Sequence, residues 1–186
     1  MPVIIVFVVF VILVVWLTKL YNKLVRLRNK RRQTFADIDT LLRQRHDLVP
    51  QLLETVKGYA GQEKSVLQKV TEARSAAVSA TTIEDKIKAE KQLSGALNRI
   101  NTQAEAYPEL KANQNFVKLQ DVLHEIENNV AAGRQIFNAA TTEYNTAVEK
   151  FPSNMVARNF DFIPEVMFDL GTEKRLELEE SPAVKF

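Results

Sequence analysis

The sequence predicts an all-α protein in which an N-terminal transmembrane helix is followed by an antiparallel bundle of long helices. Residues 3–17 form an uninterrupted apolar run, and beyond residue 33 apolar residues recur at spacings of three and four. With 5 Gly and 6 Pro among 186 residues and 46% hydrophobic residues, the chain is neither a turn-rich β-sandwich nor disordered. This length allows one domain with an appendage and is too short for a two-domain dinucleotide or TIM-barrel enzyme.

Residues 1–21 are predicted to form the membrane anchor. As a helix they would be ~31 Å long, which is enough to cross the hydrocarbon core of a bilayer. No basic residue precedes the apolar run and no small-x-small cleavage site follows it, so an uncleaved anchor is favoured over a signal peptide. Trp16 and Tyr21 lie where aromatic side chains meet the interface, and Lys19 can reach the headgroups.

A basic neck, residues 22–32, follows the anchor. Together with Lys19, near the end of the anchor, this segment has no acidic side chain and gives seven basic ones: Lys19, Lys23, Arg26, Arg28, Lys30, Arg31 and Arg32. By the positive-inside rule the N-terminus faces outward and the rest of the chain faces the cytoplasm. These seven residues are also candidates for contact with anionic lipids, at ~1 kcal/mol each, although a role in topology alone would explain them.

The charge of the remaining body argues against nucleic-acid binding. The formal net charge of the chain is +2 and the seven basic residues contribute +7, so residues 33–186 carry −5. A nucleic-acid binder is expected to carry its positive charge on the folded domain. The chain has no cysteine, which excludes disulfides, thiolate metal sites and a cysteine nucleophile.

Residues 33–151 are predicted to form the bundle. A first apolar stripe runs through Phe35, Ile38, Leu42, Val49, Leu52, Val56 and Tyr59 and continues without a change of phase through Val66, Val70, Ala73 and Ala77. Pro50 lacks a backbone donor, so a break or kink is required in this stretch. A new helix capped by Asp47, with Pro50 in its first turn, is favoured, and a turn between Gly58 and Gly61 is the alternative.

Two further helices complete a four-helix arrangement with short links. A stripe from Ile83 to Tyr107 follows a capping box of Thr82 and Asp85. The last long helix is predicted from Pro108 to about residue 150, with a seam at Phe116, Leu119, Leu123, Ile126, Val130, Gly133, Phe137, Ala140, Tyr144, Ala147 and Phe151. Gly133 on this seam indicates the close approach of another helix.

Residues 152–186 form a tail that is first apolar and then charged. Its large apolar side chains must either pack on the bundle or contact a partner. The candidate partner-binding residues are Met155, Phe160, Phe162, Met167 and Phe168.

No catalytic, cofactor-binding or metal site is predicted, and we expect a protein that is not an enzyme. His124 and Asp121 give one D-x-x-H pattern, but a di-iron bundle site needs two such helices and two further carboxylates, so a solvated polar face is expected. H-E-x-x-H, G-x-S-x-G and phosphate-binding glycine motifs are absent. Arg45 occupies a seam position, where we expect a buried Asp or Glu to pair with it.

The sequence resembles the LemA family of bacterial membrane proteins. The resemblance rests on residues 38–74, IDTLLRQRHDLVPQLLETVKGYAGQEKSVLQKVTEAR, and on residues 144–162, YNTAVEKFPSNMVARNFDF, whereas IPEVMFDL after Phe162 departs from the usual family ending. It implies a single-span inner-membrane protein with a cytoplasmic helical body and no established enzymatic activity. Some members of that family lie in magnetosome membranes, and its genes are often near a membrane zinc metalloprotease.

The expected function is a non-enzymatic, membrane-anchored helical scaffold or adaptor that binds another protein at the cytoplasmic face of the inner membrane. The expected partners are membrane lipids, through the anchor, and an unidentified membrane-associated protein, for which a membrane protease system is one candidate. A homo-oligomer is also left open. The alternative is a membrane-organising protein that acts on anionic lipids through its basic neck, and a third hypothesis is a carboxylate-bridged metal enzyme.

Overall fold

The computed structural model describes residues 2–58 and 64–168, and the regular elements in these ranges are all helices. In chain order they are α1 (Pro2–Lys57), α2 (Lys64–Ser79), α3 (Ile83–Ala104), α4 (Pro108–Lys111), α5 (Gln114–Glu149) and α6 (Ser153–Asn159). The predicted all-α fold class, with a long apolar helix at the N-terminus, is confirmed.

Helix α1 runs without interruption through the anchor, the neck and the first part of the body. The favoured prediction of a helix starting at Asp47 is therefore wrong, because Pro50 lies inside α1. Val49 and Leu52 on either side of the proline are both buried, so packing keeps the helical phase across it. The helix ends at Lys57, next to the alternative break, of which Tyr59 and Gly61 lie outside the described residues.

Helices α2 and α3 pack against each other across a link of three residues, 80–82. The predicted cap at Thr82 is confirmed, because its hydroxyl accepts a hydrogen bond from the Asp85 backbone N–H at 3.1 Å, and the same hydroxyl donates to the Asp85 carboxylate at 2.7 Å. This cap fixes where α3 begins.

The prediction of one helix from Pro108 to residue 150 is wrong at its start. Pro108 begins the one-turn helix α4, and α5 starts only at Gln114. The reason is a second start signal: the Asn113 side-chain oxygen accepts hydrogen bonds from the backbone N–H groups of Asn115, at 2.8 Å, and Phe116, at 3.1 Å.

The described chain divides into two compact units. The first unit comprises residues 2–38 and 131–167, and the second comprises residues 39–58, 64–130 and 168. The second unit has a core drawn from α1 to α5, which includes Val49, Leu52, Val70, Leu93, Ile100, Leu110 and Phe116. The core of the first unit includes Leu24, Leu27, Tyr144, Ala147, Val156, Ala157 and Phe162.

Gly133 in α5 meets α1 closely within the first unit. A Cβ atom built on Gly133 would lie 2.9 Å from Cγ1 of the fully buried Ile38. The predicted close approach at this position is confirmed, since glycine is the residue that leaves room for this contact.

Helix α6 ends in a left-handed turn that directs the next residue inward. Asp161 has a φ of 53°, and the Phe162 N–H donates to the Ala157 carbonyl at 3.0 Å. This bond is the six-to-one hydrogen bond of a Schellman motif, with aspartate at the position that glycine most often holds. Phe162 is buried as a result.

Candidate functional site

In the first unit, the segment of residues 162–167, which follows α6 and has no regular secondary structure, is held through its backbone. The Asn145 side chain forms two hydrogen bonds with the main chain of Glu165, donating to its carbonyl and accepting from its N–H, both at 2.9 Å. Arg31 Nη2 donates to the Val166 carbonyl, also at 2.9 Å. Hydrogen bonds to the main chain fix a segment whatever its side chains are.

Arg31 is buried at the centre of this arrangement. Its guanidinium forms an ion pair with Glu165 at 3.0 Å, donates to the Thr141 hydroxyl at 3.2 Å and lies 4.8 Å from the ring centroid of Phe137. The prediction that Arg31 faces lipid is wrong, because only 2% of this residue is exposed and its charge is compensated inside the fold.

Of the other six basic residues, two contact side chains of the fold and four lie at exposed positions. Lys30 pairs with Glu143 at 2.7 Å on the surface, and the half-buried Arg28 lies 4.8 Å from the ring centroid of Phe162. Exposed positions are occupied by Lys19, Lys23, Arg26 and Arg32. For these residues, contact with lipid remains a prediction.

The apolar side chains of the tail also divide into two groups. Phe162 and Phe168 are buried, so the prediction that they bind a partner is wrong, because the fold itself covers them. Met155, Phe160 and Met167 are exposed. Ile163 and Val166, which are not among the candidate partner-binding residues, are exposed as well.

An apolar groove of about 600 Å³ lies between α6 and the part of α1 that belongs to the anchor. Its walls are formed by Val14, Leu17, Thr18 and Tyr21 of α1 and by Met155, Val156, Asn159 and Phe160. At Tyr21 the two walls are in contact, because this ring makes edge contacts with the rings of Phe160 and Phe162 at centroid distances of 5.0 and 5.7 Å.

The second unit contains a buried polar cluster of Arg45, His46 and Glu90. One carboxylate oxygen of Glu90 bonds Arg45 and the other bonds His46 Nε2, while Arg45 Nη1 donates to the Ser94 hydroxyl at 3.0 Å. The expectation that Arg45 pairs with a buried carboxylate is confirmed. The carboxylate belongs to α3, so the cluster ties α1 to α3.

A second contact ties the same region of α1 to α2. The Arg74 Nε donates to the His46 main-chain carbonyl at 2.7 Å. In a regular helix this carbonyl would accept from the residue four positions later, which here is Pro50 and has no N–H. Arg45, His46, Pro50 and Arg74 thus act together as a structural junction.

Among the described residues, Asp39 and Tyr144 have shifted pKa values. Burial acts to raise the pKa of Asp39, but hydrogen bonds from Lys86 and Arg43 outweigh it and hold that pKa below its usual value. Burial raises the pKa of the Tyr144 hydroxyl, and the Glu165 carboxylate adds to this effect. Both groups lie outside the apolar run.

His124 is exposed on α5, as expected for a solvated face, and Asp121 is exposed beside it. Within residues 2–58 and 64–168, no three His, Asp or Glu side chains are grouped so that they could hold a metal ion.

The apolar start of α1 meets the length and composition requirements of a membrane span. The most apolar 18-residue window has a mean hydropathy of 3.0, and none of it is buried by the rest of the described chain. An exposed apolar surface of this length has a natural cover in the hydrocarbon core of a bilayer.

The sequence model of the LemA family matches residues 34–186. The chain belongs to the LemA family. It is 22% identical over 161 residues to Protein LemA of Metamycoplasma hominis, a match that covers 86% of this chain and 74% of that protein. It is 23% identical over 189 residues to each of the magnetosome proteins MamQ 1 and MamQ 2 of Paramagnetospirillum magneticum, covering 88% of this chain and 66% of theirs. Membership in the LemA family fits a membrane-associated, all-α protein.

Proposed function

We propose that this LemA-family protein is a non-enzymatic scaffold or adaptor that binds another membrane-associated protein at the cytoplasmic face of the inner membrane. The observation that carries the proposal is the continuity of α1, which joins the apolar span to the fold of the first unit without a linker. A partner bound to the first unit would be held close to the bilayer in a restricted orientation.

The segment of residues 162–167 is the proposed partner surface. Its backbone is fixed by Arg31 and Asn145, while Ile163, Val166 and Met167 remain exposed. Apolar side chains on an already ordered backbone lose little conformational freedom on binding, which favours association. Neighbouring exposed apolar groups of this kind are typical of protein contacts.

The use of the buried charges supports a non-enzymatic role. Glu90 is shared by Arg45 and His46, and Glu165 is paired with Arg31, so these groups compensate each other inside the fold. Removing one partner of such a buried pair is strongly destabilising, so the stability of the fold accounts for the presence of these groups.

The partner surface can be tested by crosslinking in intact cells. A photoreactive amino acid at position 167 should crosslink one specific protein, and Met167→Glu should abolish recovery of that protein. Val78, an exposed apolar residue of the second unit, is the matched control position. Equal recovery from positions 167 and 78 would contradict the proposed surface, and crosslinks to the same chain would identify the partner as a second copy.

The proposed orientation rests on the basic residues that follow the span. Because the chain has no cysteine, a single Val78→Cys variant carries one reactive thiol. In intact cells a membrane-impermeant maleimide should leave this thiol unlabelled, and labelling should appear once the inner membrane is opened. Labelling before that step would place the second unit outside the cytoplasm.

A second candidate function, membrane organisation through the basic neck, is favoured by the exposure of Lys19, Lys23, Arg26 and Arg32. In reconstituted vesicles, replacing these four by Gln should then reduce the local enrichment of fluorescent phosphatidylglycerol around the protein. Lys30→Gln is the control, because Lys30 is already paired with Glu143. No difference between the two variants would eliminate this function.

A further inference from the structure

We propose that α6 is a second membrane-contacting element, whose side chains Met155 and Phe160 enter the leaflet in which the anchor ends. The groove between α6 and α1 would then be filled by phospholipid acyl chains. This inference rests on the membrane-anchoring part of the proposed function and adds a lipid-binding site to it.

The depth of the groove follows from the residues of α1 that line it. Val14 lies seven residues before Tyr21, which corresponds to ~10 Å along a helix. If the span ends near Tyr21, side chains of α6 that face Val14 and Leu17 lie within about that distance of the membrane surface. Helices that lie in the interface bury their apolar face ~5–10 Å deep, so the two depths agree.

The groove offers almost nothing for a polar ligand. The Thr18 hydroxyl donates to the Val14 carbonyl at 2.8 Å, and the Asn159 side-chain amide donates to the Met155 carbonyl at 2.8 Å. The Thr18 hydroxyl and the Asn159 amide N–H thus bond within their own helices, which lowers the cost of covering them with hydrocarbon, and the third polar side chain of the lining, Tyr21, is of a type common at the membrane interface. The remaining lining is aliphatic or aromatic.

The bilayer is a better occupant of this groove than a soluble protein. Val14 and Leu17 belong to the span, so lipid already surrounds their free faces and is continuous with the groove, whereas a soluble protein would have to displace it. Lys19 and Lys23 on α1 and Arg158 on α6 are exposed, as expected for side chains that meet anionic headgroups. An apolar surface with basic neighbours is the usual pattern of an interfacial helix.

Spin labels can measure the depth directly in the full chain, because it contains no cysteine of its own. The Met155→Cys variant is labelled with a nitroxide at its single thiol and reconstituted into vesicles of phosphatidylethanolamine and phosphatidylglycerol. Val9→Cys, in the middle of the apolar run, is the control for the span, and Val78→Cys is the control for water. Met155 and Val9 are more than half exposed in the protein fold, so labelling should leave the circular dichroism spectrum unchanged.

The label at position 155 should be more accessible to oxygen than to a water-soluble nickel chelate, as at position 9, and the opposite should hold at position 78. A label at 155 that behaves like the one at 78, while the one at 9 is in lipid, would overturn the inference and leave the anchor intact. If the label at 9 is also in water, both the inference and the anchor fail. Shielding of the label at 155 from both reagents would show that protein occupies the groove, which also overturns the inference.

Discussion

Arg74 donates to the carbonyl group that Pro50 leaves without a helical donor. The accepting group is the His46 carbonyl, at 2.7 Å from the Arg74 Nε. Pro50 would otherwise leave this partly buried acceptor unpaired, since its ring nitrogen carries no hydrogen. The carbonyl that lacks its hydrogen bond within α1 is therefore the group through which α2 contacts α1, and α1 continues through the proline.

Loss of the arginine should destabilise the second unit. We expect Arg74→Met, which keeps most of the apolar stem, to lower the free energy of unfolding by ~1–3 kcal/mol, because the His46 carbonyl would be left without its donor. Chemical unfolding of the full chain in detergent, followed by circular dichroism, measures the change. A loss of stability no larger than that of Lys69→Met, an exposed position on the same helix, would contradict this role.

The proline and the arginine should be energetically coupled. Pro50→Ala restores an N–H that can bond the His46 carbonyl, and interior proline costs ~3 kcal/mol in a helix, so this change should stabilise the protein. In the Pro50→Ala background, Arg74→Met should cost less than it does alone. Asp47→Ala should change stability little, because Asp47 is exposed in mid-helix and caps nothing. Strictly additive effects would exclude the coupling.

The buried cluster of Arg45, His46 and Glu90 predicts that one substitution lowers stability strongly and that a second restores much of it. Glu90→Leu leaves the guanidinium of Arg45 buried without a counter-charge and should lower the unfolding free energy by ~3–5 kcal/mol. Adding Arg45→Met removes that charge, so the double variant should recover much of the loss. The same unfolding measurement decides, and a double variant less stable than Glu90→Leu would contradict the account.

The sequence indicated one half of this cluster and contained a signal for the other half. Arg45 was recognisable because a charged residue stood on an apolar seam. Glu90 fills the gap between Ile87 and Leu93 in the stripe of α3, at the same spacing of three from each, and so stood at a core position too. Two opposite charges at core positions, Arg45 and Glu90, would have predicted an ion pair between them. The periodicity of apolar residues does not say which helices are neighbours, however.

The boundaries near Pro50 and Pro108 were harder to predict, for a physical reason. Pro50 has the properties of a helix start, but α1 continues through it, with Val49 and Leu52 buried on either side. The side chain of Arg74, far away in sequence, bonds the carbonyl that the proline leaves without a helical donor. A helix does begin at Pro108, but it is the one-turn α4, and Asn113 caps the long helix α5 five residues later. Local propensity is overridden in both cases by hydrogen bonds whose partners the pattern of apolar residues does not specify.

Two glycines should respond in opposite ways to alanine. Gly133→Ala places a methyl group against Ile38 Cγ1 and should be destabilising, since overpacking costs ~1–3 kcal/mol and outweighs a helix-propensity gain of at most ~1 kcal/mol. Gly95→Ala in α3 meets no atom within 4 Å and should stabilise by up to ~1 kcal/mol. In thermal unfolding, a Gly133→Ala variant as stable as Gly95→Ala would contradict the close approach, and Ile38→Ala should relieve its clash.

Asp39 predicts a defined dependence of stability on pH. This carboxylate in α1 bonds Lys86 of α3 and Arg43, and these contacts hold its native pKa below the ordinary value of 3.8. A carboxylate with a lowered native pKa contributes stability when the pH is above the pKa that it has in the unfolded chain. This contribution is lost as the pH falls through the lowered native pKa.

Asp39→Asn should therefore be less stable than the parent chain at pH 7, and the stabilities of the two proteins should converge when the pH falls well below 3.8. Urea unfolding of both proteins across this range tests the assignment, with Asp37→Asn, an exposed neighbour, as the control. A difference that persisted unchanged at low pH would show that the charge of Asp39 is not what stabilises the contact.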